Sequence, residues 1–254
     1  MLTDTHCHPF DLAARFLEAE QERRRLGVLA IASACNMEEF EYNEDLSRKA
    51  ATEGAALLLP CFAVHAQIVR SGTRTDRLDM LAAEGRLAAV GEFGFDLFNA
   101  TFRETEAEQD RVFAAHLETA LRHDLPVVLH VRRAMHKIFA AAKSLAKCRA
   151  VVFHSWPGTL EEGQALLRRG VNAYFSFGNT VLNGRKQTLR CCALLPAERL
   201  LTETDAPYQP RRGQHFSHWE DLPLIIEAAA VLRGESAEEL EARIEKNFRI
   251  IFSV

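Results

Sequence analysis

Short apolar runs rich in β-branched residues recur along this chain at intervals of roughly thirty residues, each followed by a longer segment of helical period. The strand-like runs lie at 2–6, 28–33, 56–65, 88–94, 127–131, 150–155, 171–177 and 199–204. The segment 105–123 is typical of the intervening ones: Val112, Phe113, Leu117, Ala120 and Leu121 recur at three- and four-residue steps. Its opening, Thr105-x-x-Glu108, has the form of a capping box. Gly27, Gly85 and Gly170 each stand where a helix should close before a strand, and Pro126 opens one. Eight such units in 254 residues predict a (β/α)8 TIM-like barrel forming one domain over 1–254. A doubly wound open sheet is the alternative, but no glycine-rich phosphate fingerprint follows the first strand. The stretch 220–252 reads as two amphipathic helices, broken near Gly234 and restarted by a second capping-box pattern, Ser236-x-x-Glu239.

Composition narrows the class. With 48% hydrophobic and 26% charged residues, 13 Gly and 8 Pro, the chain is neither collagenous nor disordered. The longest apolar run, 55–64, contains Pro60 and is too short to cross a bilayer. The opening Met1-Leu2-Thr3-Asp4-Thr5-His6 does not read as a secretory leader. Six cysteines without a C-x-x-C pair are expected to stay reduced, which points to a cytoplasmic protein without membrane association. A net charge of −4 argues against broad coating of nucleic acid.

A barrel of this kind carries its active site at the C-terminal ends of its strands. Those ends hold Asp4-Thr5-His6-Cys7-His8, His65, Glu92, His130, His154 and Glu203-Thr204-Asp205. Most are metal-ligand or acid–base types. Side chains alternate along a strand, so His6 and His8 share a face, with Asp4 one layer below and Cys7 turned away. Taken alone, H-x-H is either a metal-binding pair or two hydrogen-bonded histidines, and a single strand-end histidine is more often structural. The convergence of five strands on one rim favours a metal centre. Glu92 is the only carboxylate on a mid-barrel strand.

The chain resembles the TatD family of metal-dependent deoxyribonucleases, within the amidohydrolase-like superfamily. The resemblance rests on Asp4–His8, Gly91–Asp96, Leu125–Arg132, Phe153–Gly158, the Tyr174–Gly178 strand, Leu201–Tyr208 and Asn247–Phe252, which cover nearly the whole chain in order. The Thr202-Glu203-Thr204-Asp205-Ala206-Pro207 string discriminates best. The resemblance implies two divalent ions (Zn2+, Mg2+ or Mn2+), one held by His6, His8, Glu92 and Asp205, the other by Glu92, His130 and His154. It further implies hydrolysis of DNA phosphodiesters as an exonuclease on single strands or 3′ ends, and the chain is expected to be a monomer. Asp205 would accept the proton of the attacking water, Glu92 would bridge, and His65 would contact phosphate or orient the water. Two such ions less two carboxylates leave about +2, which suits an anionic phosphodiester better than a neutral amide.

The family pattern is not matched everywhere. Ala63-Val64-His65-Ala66 stands where Gly-x-His-Pro is usual, Arg133 replaces an acid, and 211–218 departs from the usual loop. Arg132, within the His-x-Arg motif, is the leading substrate contact; Arg133, Arg185, Lys186, Arg211 and Arg212 also lie in predicted rim loops. Phe98, Trp156 and Phe216 are candidate base-stacking residues, whereas His116, His123 and His136 fall on helices as surface or packing residues. The competing functional reading is a hydrolase of a small amide, ester or lactone on the same barrel.

Overall fold

The computed structural model describes residues 1–254 and turns the alternation into eight strands. They are β1 (Thr3–Cys7), β2 (Leu29–Ala34), β3 (Leu58–Phe62), β4 (Ala89–Asp96), β5 (Val127–Arg132), β6 (Val151–Phe153), β7 (Ala173–Phe177) and β8 (Leu200–Thr202). All neighbouring pairs from β1 to β8 are parallel and follow chain order. The helices are α1 (Pro9–Ala13), α2 (Ala19–Leu26), α3 (Met37–Thr52), α4 (Asp76–Ala83), α5 (Ala100–Glu104), α6 (Glu106–Arg122), α7 (Met135–Leu145), α8 (Leu160–Arg168), α9 (Lys186–Leu194), α10 (Asp221–Arg233) and α11 (Ala237–Phe252). The expected (β/α)8 barrel is therefore the fold. No helix is long and apolar enough to cross a membrane, and all six cysteines are free.

Parallel strands packed on both faces need apolar residues at nearly every position, which is why they stood out in the sequence. Leu29, Ile31, Val128, Val152 and Leu201 form one buried cluster, joined by Phe248 and Phe252 of α11. Val128 and Val152 lie two residues before His130 and His154, so alternation places this cluster beneath the polar rim. A larger cluster packs the helices on the outer side of the strands.

Two register shifts prepare the rim. Between β4 and β5 the pairing runs Gly91↔Val128 and then Phe93↔Leu129, which leaves Glu92 as an extra residue. Between β1 and β2 it runs Asp4↔Ala30 and then Cys7↔Ala32. Such bulges re-aim side chains. At Gly94, φ is +146°, and a Cβ there would overlap the carbonyl oxygen of His130. Glycine alone permits this approach of β4 to β5.

The seam between β8 and β1 is closed largely by hydroxyls. Thr202 Oγ1 donates to the Thr3 carbonyl (2.9 Å), and Thr5 Oγ1 donates to the Thr202 carbonyl (3.0 Å). Above them, Asp4 accepts from the Thr204 amide (3.1 Å) and hydroxyl (2.6 Å). At the rim, main-chain bonds run from Asp205 N to His6 O (2.9 Å) and from His8 N to Ala206 O (2.8 Å).

Two local expectations are corrected. The predicted strands 56–65, 150–155 and 199–204 stop early, so His65, His154 and Asp205 stand on the turns just beyond them. Thr105 precedes α6 but forms no capping box. Its backbone already continues from α5 and its hydroxyl donates back to the Phe102 carbonyl (3.0 Å). Ser236 and Glu239 do form one, as do Thr159 and Glu162, a box the sequence reading passed over.

Gly94→Ala is expected to lower stability by about 3 kcal/mol or more, through a forced shift of β4 against β5. Urea unfolding of the variant against the parent checks this.

Candidate metal centre

Five histidines converge on Glu92, whose side chain is only 5% exposed. One carboxylate oxygen, Oε1, lies 2.7 Å from His130 Nδ1, 3.4 Å from His65 Nε2 and 3.5 Å from His154 Nε2. The other, Oε2, lies 3.1 Å from His6 Nε2 and 3.8 Å from His8 Nε2. Across the rim, Asp205 Oδ1 stands 3.5 Å from the Nε2 atoms of both His6 and His8. Its backbone is left-handed (φ +55°) and Gln209 Nε2 donates to its Oδ2 (2.7 Å), which fixes the carboxylate's direction.

Mutually close donor atoms fall into three groups: His6, His154 and Asp205; His6, His8 and Glu92; and His65, Glu92 and His130. Convergence of imidazole nitrogens and carboxylate oxygens on this scale suits divalent cations.

The far sides of the rings show how each is held. His6 Nδ1 meets Ser33 Oγ (3.0 Å), His130 Nε2 meets Asp96 Oδ2 (3.2 Å), and His154 Nδ1 faces Glu203 Oε1 (3.0 Å). Each ring thus has a polar group at its outer nitrogen, which fixes the direction in which the inner nitrogen points. His65 is held differently. Its Nδ1 accepts from the Gln67 amide (3.2 Å), so in the neutral ring the inner Nε2 carries the proton.

Electrostatics follow from these contacts. Burial opposes charge on Glu92, yet the imidazoles of His65, His6 and His154 and the bond from His130 hold its carboxyl well below the usual range. Burial likewise opposes ionisation of Asp205, but His154, His8 and His6 hold it down. Burial also works against charging His154, but Glu203, Glu92 and Asp205 outweigh it and raise its pKa to about 10. The cluster is a set of anionic oxygens compensated by imidazoles.

Several supporting residues escaped the sequence reading. Asp96 is fully buried and accepts from Gln67 Nε2 (2.8 Å) as well as facing His130. It shares Glu92's face at a spacing of four, so strand alternation pointed to it. Gln109 and His116, seven apart on α6, are both buried. Gln109 accepts from the Asp96 amide (2.9 Å), and His116 Nε2 accepts from the Val64 amide (2.9 Å), next to His65. One helix face thus anchors both the β3 and the β4 turns. Glu203 and Asp4 stand in the supporting layer expected for them.

Some rim candidates are engaged elsewhere. Trp156 is 4% exposed and packs on Phe153 and Phe175, so it offers no stacking face. Its amide bonds to the Ser176 carbonyl (3.0 Å), which turns the loop downward. Arg211 is tied to buried Asp221 at 2.6 Å, and Phe216 packs near Phe16. Arg132 lies on the face of Phe98, 3.6 Å from the ring centroid.

A sequence model of the TatD related DNase family matches residues 3–253. The chain belongs to that family. It is 35% identical over 183 residues to the 3′-5′ ssDNA/RNA exonuclease TatD of Shigella flexneri, covering 68% of this chain and 69% of the relative. The exonuclease TatD of Pantoea vagans is 39% identical over 184 residues, 69% of each chain. The crystal structure of YJJV, a TatD homologue from Escherichia coli K12, superposes with a TM-score of 0.85 at 28% identity, covering 100% of this chain and 98% of that one. Dihydroorotase from Saccharomyces cerevisiae shares the fold alone, with a TM-score of 0.61 at 11% identity. As a TatD-family member the chain is a hydrolase of the nuclease class acting on phosphoester bonds.

His116 yields a pH prediction. Burial holds its pKa down to about 3, against 6.5 for a free imidazole, and its Nε2 lone pair is already committed to Val64. As pH falls below about 6.5 the unfolded chain takes up this proton first, so stability is lost toward about pH 3, by up to about 1.4 kcal/mol per unit. His116→Gln, which keeps an acceptor for Val64, is expected to flatten that part of the stability–pH curve. His116→Ala should cost about 1–3 kcal/mol at pH 7.5 by leaving the amide unpaired. Urea unfolding at pH 7.5 and 5 tests both.

Proposed function

We propose that this chain is a two-metal exonuclease that removes nucleotides from the 3′ ends of single-stranded DNA. The carrying observation is the division of Glu92: Oε1 faces His130 and His154 while Oε2 faces His6 and His8. One carboxylate so placed can serve two cations. In this reading His6, His8, Glu92 and Asp205 hold one ion, and Glu92, His130 and His154 hold the other. Zn2+, Mg2+ and Mn2+ all suit such mixed ligands. The inward-facing ring nitrogens of His6, His130 and His154 support the assignment. Polarity and strand preference follow the relatives, described as 3′-5′ ssDNA/RNA exonucleases.

When bound, such ions supply Lewis-acid polarisation of a phosphate and lower the pKa of a water. The chain's own groups do the rest. Asp205, kept ionised, accepts the proton of the attacking water through Oδ1, because Gln209 holds Oδ2. His65 presents Nε2–H, a donor, and so binds a phosphate oxygen rather than an ion. Arg132 shares the face of β5 that bears His130, one layer higher, and reaches the strand's phosphates at the mouth. The enzyme works as a monomer, and its free cysteines suit a reducing cytoplasm.

A 5′-labelled single-stranded oligodeoxynucleotide with Mn2+ or Mg2+ should shorten from its 3′ end, and chelation should stop this. His130→Ala and Asp205→Asn should each lower kcat by about a hundredfold or more, with the fold retained by circular dichroism. Turnover of a lactone or amide, with no cleavage of DNA under any of the three ions, would overturn the reading.

A further inference from the structure

The rim carries a second constellation one layer above the metal centre, on the β4–β5 side. Alternation along β5 puts Arg132 above His130, and the chain leaving β4 puts Phe98 above Asp96. The two layers are tied together, since the Phe98 amide donates to Asp96 Oδ1 (2.9 Å) and His130 Nε2 faces Asp96 Oδ2. The guanidinium carbons of Arg132 and Arg133 stand 3.6 and 4.6 Å from the centroid of the Phe98 ring. That ring is 39% exposed and the Arg132 side chain 45% exposed.

The charge of this pair is unspent. Some surface arginines are paired with carboxylates, as in Arg74–Asp76, Arg86–Glu44, Arg122–Asp79 and Arg249–Glu245, and others, such as Arg77 and Arg168, are not. Here the nearest carboxylate oxygen to Arg132, on Asp96, is 4.0 Å away and already engaged by Gln67 and His130, and Arg133 has no acidic partner. Arg133 also holds a left-handed backbone (φ +55°), a conformation uncommon in residues other than glycine. An aromatic face that orients two unpaired guanidiniums reduces the rotamer freedom lost when they grip an anion. The site below is where a strand's terminal phosphodiester would be cut.

We infer that Phe98, Arg132 and Arg133 form a subsite for a phosphodiester of single-stranded nucleic acid, the one next along the strand from the bond being cleaved. This deepens the exonuclease reading and rests on it for the strand's position. The subsite makes the enzyme sensitive to substrate length: a substrate with one phosphodiester cannot reach it, and a substrate with two can. Phe98 acts here as the support for the two cations, and Arg133 carries the contact that distinguishes this chain from an acid-bearing rim.

The test compares kcat/KM on the thymidine dinucleotide, which has one phosphodiester, with that on the trinucleotide, which has two and the same kind of leaving group. In the parent, kcat/KM should rise by about three- to tenfold when the second phosphodiester is added, the size of one charge-assisted contact. In Arg133→Ala and Phe98→Ala most of that rise should vanish, chiefly through KM, with Arg133→Lys intermediate. The slope of log kcat/KM against log salt on an oligothymidylate should fall by about 0.7 in Arg133→Ala, the value for one phosphate contact on a single strand. Unchanged length dependence and salt slope in variants that melt like the parent would overturn the subsite. Anisotropy of a labelled phosphorothioate oligothymidylate in EDTA separates binding from chemistry. A parent that cleaves nothing but binds this probe at least threefold more tightly than Arg133→Ala does retains the subsite and loses the exonuclease reading. Equal binding by both overturns the subsite whatever the activity.

Discussion

A carboxylate buried at the centre of an apolar barrel cannot stay ionised unless positive or polarisable groups surround it. Glu92 is that group, and much of the rim is arranged around the need to keep it charged. Five imidazoles point nitrogens at it, and four of those five rings are held from behind by a hydroxyl, a carboxylate or an amide. The compensation is incomplete in one useful sense. An imidazole that gives up its ring proton leaves a nitrogen lone pair beside the anion, and a divalent cation there supplies full charge in the proton's place, so the cluster is built to gain from binding one.

Backbone irregularities deliver this arrangement. The extra residue at Glu92 in β4 and the shift between Asp4 and Cys7 in β1 sit in the two strands that supply Glu92 and the His6–His8 pair. Gly94 lets β4 run against His130, and α6 fixes the turns on either side through Gln109 and His116. Rigid elements therefore position the donor atoms, while the loops above them carry the exposed cations and aromatic groups. Converging donor atoms and exposed cations are thus carried by different layers of the same strands.

The sequence announced the layer of the barrel better than the layer of the loops. Strands of a parallel barrel are buried on both faces, so Val127–Leu129 or Leu29–Ala34 read plainly as apolar runs. Their ends were less legible, because a strand stops where its backbone finds another partner. β3 ends at Phe62, and the Val64 amide turns to His116, a contact from a residue 52 positions away. Trp156 looked like a rim aromatic, yet its loop folds inward and buries the ring against Phe153. Asp96 stood inside a quoted motif without a role, although its spacing from Glu92 placed it on the same face. The direction in which His65 is wired depends on a bond to Gln67 N that composition does not reveal.

The seam between β8 and β1 has a mechanical meaning. Every other junction in the barrel is a ladder of parallel main-chain pairs, but this one joins two main-chain bonds at the rim to side-chain bonds from Thr5, Thr202, Thr204 and Asp4. The same junction separates His6 and His8 from Asp205. Whatever grips those three side chains together also fastens the first strand to the last, and by linkage its binding energy becomes resistance of the closed barrel to opening. A group bound there would act as a clasp, because the first and last strands meet at the cluster of donor atoms.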